Sequence, residues 1–250
     1  MSPLVTILLP NYKTLVLTKL CLELLQRNTP RGLYKLIVID NDSQDASTEY
    51  LRNLTDIMLI ERRPEKKETV GQSHCRALDL ALRFVDTEYV LSIHTDTFVH
   101  HPKWLEYLLN IISQDKNIAG VGSWKLEYKS LFQRFFKLVE RFFIPPTPEN
   151  TEHYLRSHCA LYRTSLLKKH KLSFGMGNSV SAGKRMHQEL VARKYDMIFL
   201  SPEELGKYVD HVNHATMILN PDLGADKRTI RKGQKRIARY LRLISNKILN

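Results

Sequence analysis

Short apolar runs ending on polar residues alternate with helical spacing through the first half of the chain. Residues 4–10 (LVTILLP) read as a strand, and the apolar positions Leu17, Leu20, Leu24 and Leu25 that follow lie on one face of a helix. Residues 35–40 (KLIVID) form a near-continuous apolar run ending on a carboxylate, the pattern of a strand buried on both faces. A short helix, a strand at 56–60, a helix over roughly 69–84 and a strand at 89–93 come next. Pro102 then opens a helix reaching Ile112, since the first helical turn tolerates proline. This alternation predicts an α/β sandwich with a largely parallel sheet.

The second half is less regular. Residues 118–124 predict a further strand, 158–163 an edge strand, 183–193 a helix and 195–200 another strand. Residues 130–144 place Phe132, Phe135, Phe136, Val139, Phe142 and Phe143 at helical spacing with Arg and Lys between them. Such a segment suits a core helix, a dimer contact or a helix lying at a lipid interface. From Lys227 onward, Ile230, Ile237, Leu241, Ile244 and Ile248 form one stripe flanked by basic residues. There is no internal repeat and no low-complexity segment.

Composition changes this picture little: 43% apolar and 26% charged residues in 250 fit one large globular domain, or one domain with an appendage. No run is long enough for a membrane-spanning helix, and the first residues lack a signal-peptide pattern. Cys21, Cys75 and Cys159 are far apart and lack metal-ligand spacing, as expected for buried thiols in a reducing, cytoplasmic compartment. Charge is more informative. Of the net +12, +8 lies in residues 224–250, so the basic character belongs to a tail. That tail is either a docked stripe with a solvated face or an attachment to anionic lipid. Nucleic acid is not expected, because aromatics interleaved with the cations are missing apart from Tyr240.

Ligands of parallel α/β sheets bind beyond the carboxyl ends of the strands. Three such ends carry polar groups here: Pro10-Asn11-Tyr12, Asp40-Asn41-Asp42-Ser43 and His94-Thr95-Asp96. Asn, Asp and Ser also favour turns for local reasons, so it is the agreement of the three that points to a site. Carboxylates accept hydrogen bonds from a base and ribose, and a carboxylate with a hard divalent cation suits a pyrophosphate.

In order and spacing, VTILLPNYK, LIVIDNDSQDAS and YVLSIHTDTFVHHPKWLEYLL resemble glycosyltransferase family 2, over roughly residues 4–110. HCALYRTSLLKK and YDMIFLSPEE, followed by His211 and His214, extend the resemblance more loosely. It implies a GT-A type, Rossmann-like α/β/α sandwich over residues 1–223, followed by a basic amphipathic C-terminal helix at 224–250. The nucleotide-binding half would be 1–112 and the acceptor half 113–223. It also implies an inverting, hexosyltransferase-like enzyme that uses a nucleotide-diphosphate sugar, UDP-linked, with Mn²⁺ or Mg²⁺. The expected acceptor is a glycan or lipid-linked hydroxyl in cell-surface polysaccharide assembly, reached from the cytoplasm or the inner membrane face.

Carried over residue by residue, Pro10, Asn11 and Tyr12 would lie against the base, and Asp40 and Asp42 would contact base and ribose. Asp96 would hold the metal, with His94 in place of the family's leading aspartate, and His211 or His214 would serve as the late histidine. Because strand residues alternate faces, only one of those two should point inward. Arg76 or His74 would face the diphosphate. The family's acidic pair, one member of which is the general base, falls near Ser181-Ala182-Gly183, where there is no carboxylate. Glu189 and Asp210 are the nearest alternatives, with Glu189 the candidate base. Two other readings remain: a GT-A scaffold that binds nucleotide or glycan without turnover, and a nucleotidyltransferase on a related fold.

Overall fold

The structure, a computed structural model, describes residues 2–64, 66–124, 126, 153–224 and 226–248. The phenylalanine-rich segment at 130–144 lies outside the described residues. Seven strands form one sheet: β1 Val5–Asn11, β2 Tyr34–Asp40, β3 Met58–Glu61, β4 Tyr89–Ile93, β6 Ile118–Gly122, β7 Cys159–Arg163 and β8 Asp196–Phe199. Their order is β3-β2-β1-β4-β7-β6-β8. All neighbours pair in parallel except across β7, which runs antiparallel to both β4 and β6. A separate two-stranded sheet joins β5 Thr97–Val99 to β9 Val209–His211.

Side-chain alternation divides the core in two. Ile7, Leu9, Val38 and Leu91 face one layer with Leu17, Leu22, Trp104 and Leu105, from helices α1 Leu15–Asn28 and α4 Trp104–Ile112. Leu8, Ile37, Ile39 and Val90 face the other with Cys75, Leu78 and Met186, from helix α3 Val70–Leu82 and the later helix α6 Lys184–Ala192. A strand covered on both faces needs apolar residues at successive positions, which is why KLIVID reads as a run. Among the described residues the remaining α-helices are α2 Ala46–Arg52, α5 Thr164–Lys169, α7 Pro202–Leu205, α8 Ala215–Leu219 and α9 Lys227–Ile248.

The expected edge strand at 158–163 is instead interior: β7 sits between β4 and β6, with Ala160, Leu161 and Tyr162 fully buried. Its antiparallel direction lets it enter from the far side, so sequence order gives no hint of its central place. All three cysteines are buried free thiols. Among the described residues no helix is long and apolar enough to cross a membrane.

Candidate active site

Strands β1, β2 and β4 run in the same direction, and β1 and β2 end in register with Asn11 beside Asp40. Beyond their carboxyl ends opens a cleft of about 810 Å³. Pro10, Asn11, Tyr12, Asn41 and Asp42 line one part of it, and His94, Asp96, His211 and His214 another. All three polar strand ends therefore lie together.

Within this edge, Asp40 is a buried anchor. Its carboxylate accepts hydrogen bonds from Asn11 Nδ2 (2.9 Å) and Thr48 Oγ1 (2.7 Å), while Thr18 donates to Asn11 Oδ1 (2.7 Å). It faces a neighbouring hollow of about 240 Å³ and does not line the main cleft; Asp42 borders both. The backbone of Asp42 is left-handed (φ 67°), as are Asn213 (φ 48°) and His214 (φ 57°) across the cleft. Such conformations are uncommon for residues with a side chain and cluster at functional sites.

Asp96 is buried at the turn between β4 and β5. His211 Nε2 lies 3.2 Å from its Oδ1, and the Ala215 amide donates to its Oδ2 at 3.1 Å. His94 Nδ1 stands 3.9 Å from the same Oδ1. Burial opposes ionisation of this carboxyl, but the adjacent His211 ring with its hydrogen bond, His94 and the Ala215 amide outweigh it. The carboxyl is held well below the usual carboxylate range. His211 reaches Asp96 because it pairs with Thr97 across the β5–β9 ladder, whereas His214 is exposed at the cleft rim.

His94, Asp96 and His211 each offer one ligand atom, all within 4.8 Å of one another. Imidazole and carboxylate are both ligands of divalent ions, so the donor set fits a metal. His211 Nδ1 is buried with no hydrogen-bond partner among the described residues, which leaves an imidazole nitrogen available in this cluster.

Two further histidines complete the group. His74 Nε2 and His94 Nε2 lie 3.1 and 3.0 Å from the single Ser157 hydroxyl. His158 stacks on His211 with ring centroids 4.6 Å apart and is bridged to Ser123 at 3.0 Å. Burial pushes His74 down to about 4 and holds His94 and His158 well below the ordinary histidine range, so these imidazoles are neutral at neutral pH. Sequence reasoning missed His158 and Ser157. The only available signal was that HCALYR begins with a histidine just where an apolar strand starts.

Three candidates stand away from the cleft lining. Arg76 is half exposed and binds Glu68 at 2.6 Å. Glu189 is ion-paired on α6 with Arg185 (3.3 Å) and Arg193. Asp210 accepts from the Tyr240 hydroxyl at 3.0 Å. Gly183, near the expected acidic pair, is left-handed (φ 79°) at the start of α6, a conformation that favours glycine over a carboxylate residue. Among the described residues the carboxylates lining the cleft are Asp42, Glu68 and Asp96, and Glu68 is clamped between Arg62 and Arg76. Positive charge comes from Lys66, Lys67 and Arg156, the last packed 4.6 Å from the Trp124 ring centroid.

Solved structures share this fold. A mannosyltransferase from Pyrobaculum calidifontis, PcManGT, in complex with GDP-Man and Mn²⁺ is 20% identical with a TM-score of 0.58; the match covers 80% of this chain and 55% of that one. This chain thus spans little more than half the length of that enzyme. Glucosyl-3-phosphoglycerate synthase from Mycobacterium tuberculosis, bound to Mn²⁺, UDP and glucosyl-3-phosphoglycerate, is 18% identical with a TM-score of 0.55, covering 94% of this chain and 80% of that one. S. aureus TarS 1-349 is 15% identical with a TM-score of 0.54, covering 96% of this chain and 71% of that one. At these identities the likeness establishes the GT-A fold. No curated protein matches the chain by sequence. The model of glycosyl transferase family 2 matches residues 6–171, more than half of the sequence. The chain belongs to glycosyl transferase family 2.

Proposed function

We propose that this glycosyltransferase moves a hexose from a UDP-linked or similar nucleotide-diphosphate sugar to an acceptor hydroxyl, with inversion, in assembly of a cell-surface glycan. The observation that carries the reading is the convergence of Asn11, Asp42, Asp96 and His211 on one cleft, large enough for a nucleotide-sugar at about 810 Å³. Tyr12 and Asn11 hold the base side, and Asp42 accepts from the ribose, while Asp40 keeps the β1 and β2 ends in register from beneath. His94, Asp96 and His211 would hold the divalent ion; two nitrogens and one oxygen suit Mn²⁺ better than Mg²⁺, which prefers oxygen ligands. Once bound, the ion supplies Lewis-acid relief of charge on the departing diphosphate. Lys66, Lys67 and Arg156 add fixed positive charge on the same cleft. The acceptor oxygen attacks the anomeric carbon from the face opposite the leaving nucleotide.

Three observations favour a second reading, a scaffold that binds nucleotide or glycan without turnover. Glu68 is neutralised by two arginines, Asp96 is engaged by histidine, and Gly183 provides no carboxylate for the acceptor proton. Incubating the protein with a panel of nucleotide-sugars, Mn²⁺ and varied acceptors separates the two. Acceptor-dependent release of nucleotide diphosphate, abolished by Asp96→Asn, is the outcome expected of the enzyme. Donor binding without release across the panel supports the scaffold.

A further inference from the structure

Helix α9 is docked by one side and unpaired on the other. Ile237 is buried, Tyr240 stacks on Phe98 at 4.9 Å, and Arg236 donates to the Asn213 carbonyl. The opposite face carries Arg228, Arg231, Lys232, Lys235, Arg239 and Arg242, all exposed. At 100° per residue these six fall within one stripe about 100° wide and about 21 Å long. Among the described residues none of them makes an ion pair, although like charges this close repel one another. Leu243, 53% exposed, sits on the flank of the same stripe.

We propose that this stripe is a docking face for an anionic phospholipid surface. A straight row of cations matches a plane of headgroup charge, and clusters of four to eight Lys/Arg on an amphipathic helix are the pattern that anionic leaflets attract. The exposed leucine decides between polyanions: it gains by entering the acyl boundary and gains nothing against a phosphate backbone. Helix α9 packs on α8, whose Thr216 and Met217 line the cleft and whose Ala215 amide binds Asp96. The stripe therefore lies on the outer face of the helix that packs against this wall of the cleft. The inference stands on the helix alone and does not depend on the transfer reaction.

The test is flotation of the 250-residue chain with vesicles of phosphatidylcholine alone and with phosphatidylglycerol added. The chain is expected to float with the anionic vesicles only, and to be released by high salt. Each cation removed should weaken partitioning about fivefold, and the triple change Arg231→Gln, Lys235→Gln, Arg239→Gln about a hundredfold. These side chains are exposed and make no ion pair or side-chain hydrogen bond among the described residues, so the variant should keep its circular dichroism and nucleotide binding. Equal flotation with both vesicles, no flotation, an unaffected triple variant, or retention by a single-stranded RNA oligomer in place of vesicles would overturn the proposal.

Discussion

One serine hydroxyl shared between two neutral imidazoles restricts His94. Ser157 has a single proton to give, so one of His74 and His94 must donate to it. If His94 donates through Nε2, its Nδ1 lone pair faces Asp96 and Ser157 passes its own proton to His74. This is the kind of outer contact that fixes a ligand's tautomer. Ser157→Ala is accordingly expected to weaken Mn²⁺ binding about 10- to 100-fold, read as free Mn²⁺ by electron paramagnetic resonance. Asp96→Asn should lose more, because it removes the charge. The neutral histidines also make the fold acid-sensitive. His74 and His187 are pushed by burial from 6.5 down to about 4, so the unfolded chain takes up protons first as pH falls. Stability should be full above about 6.5 and decline towards about 4, followed by urea unfolding across that range; His187→Gln should flatten the slope. The three strand ends were legible because each closes an apolar run. The histidine group was not, because Ser157 and His158 lie in a loop with no periodicity, and only the fold brings them to residues 53 and 63 positions away.

At the scale of elements, close approach explains how a polar, basic helix stays docked. A Cβ built on Gly233 would lie 2.3 Å from Ile218 Cδ1, so α9 meets α8 where it has no side chain. Gly233→Val should force the helices apart at a cost of about 1–3 kcal/mol, seen as a lower urea midpoint, and should raise proteolytic cleavage in α9. The amphipathic stripe of α9 was readable from its 3.6 period, whereas its dependence on one glycine was not. Strand β7 illustrates the opposite limit. Its residues identify a strand, but nothing in CALYR specifies a central antiparallel position, which follows from β4 and β6 each offering it an open edge. The three-residue strands β5 and β9 are too short for any period, yet their pairing is what carries His211 inward.

Across the whole molecule, the sheet separates two apolar layers and leaves its polar strand ends at one rim, so the alternation that predicts the α/β class also predicts where the cleft lies. What alternation could not supply is the closing contact: Asp96 and His211 are 115 positions apart. An ion bound by both clamps the late segment onto the early strands and favours the folded state alone. At a hundredfold excess over its dissociation constant, Mn²⁺ should add about 2.7 kcal/mol of stability, measurable as a raised melting temperature that His211→Ala abolishes. During synthesis, a chain emerging N-terminus first would complete the sheet rim long before it could present the third ligand. Metal capture would then report that the segment carrying His211 has arrived and seated.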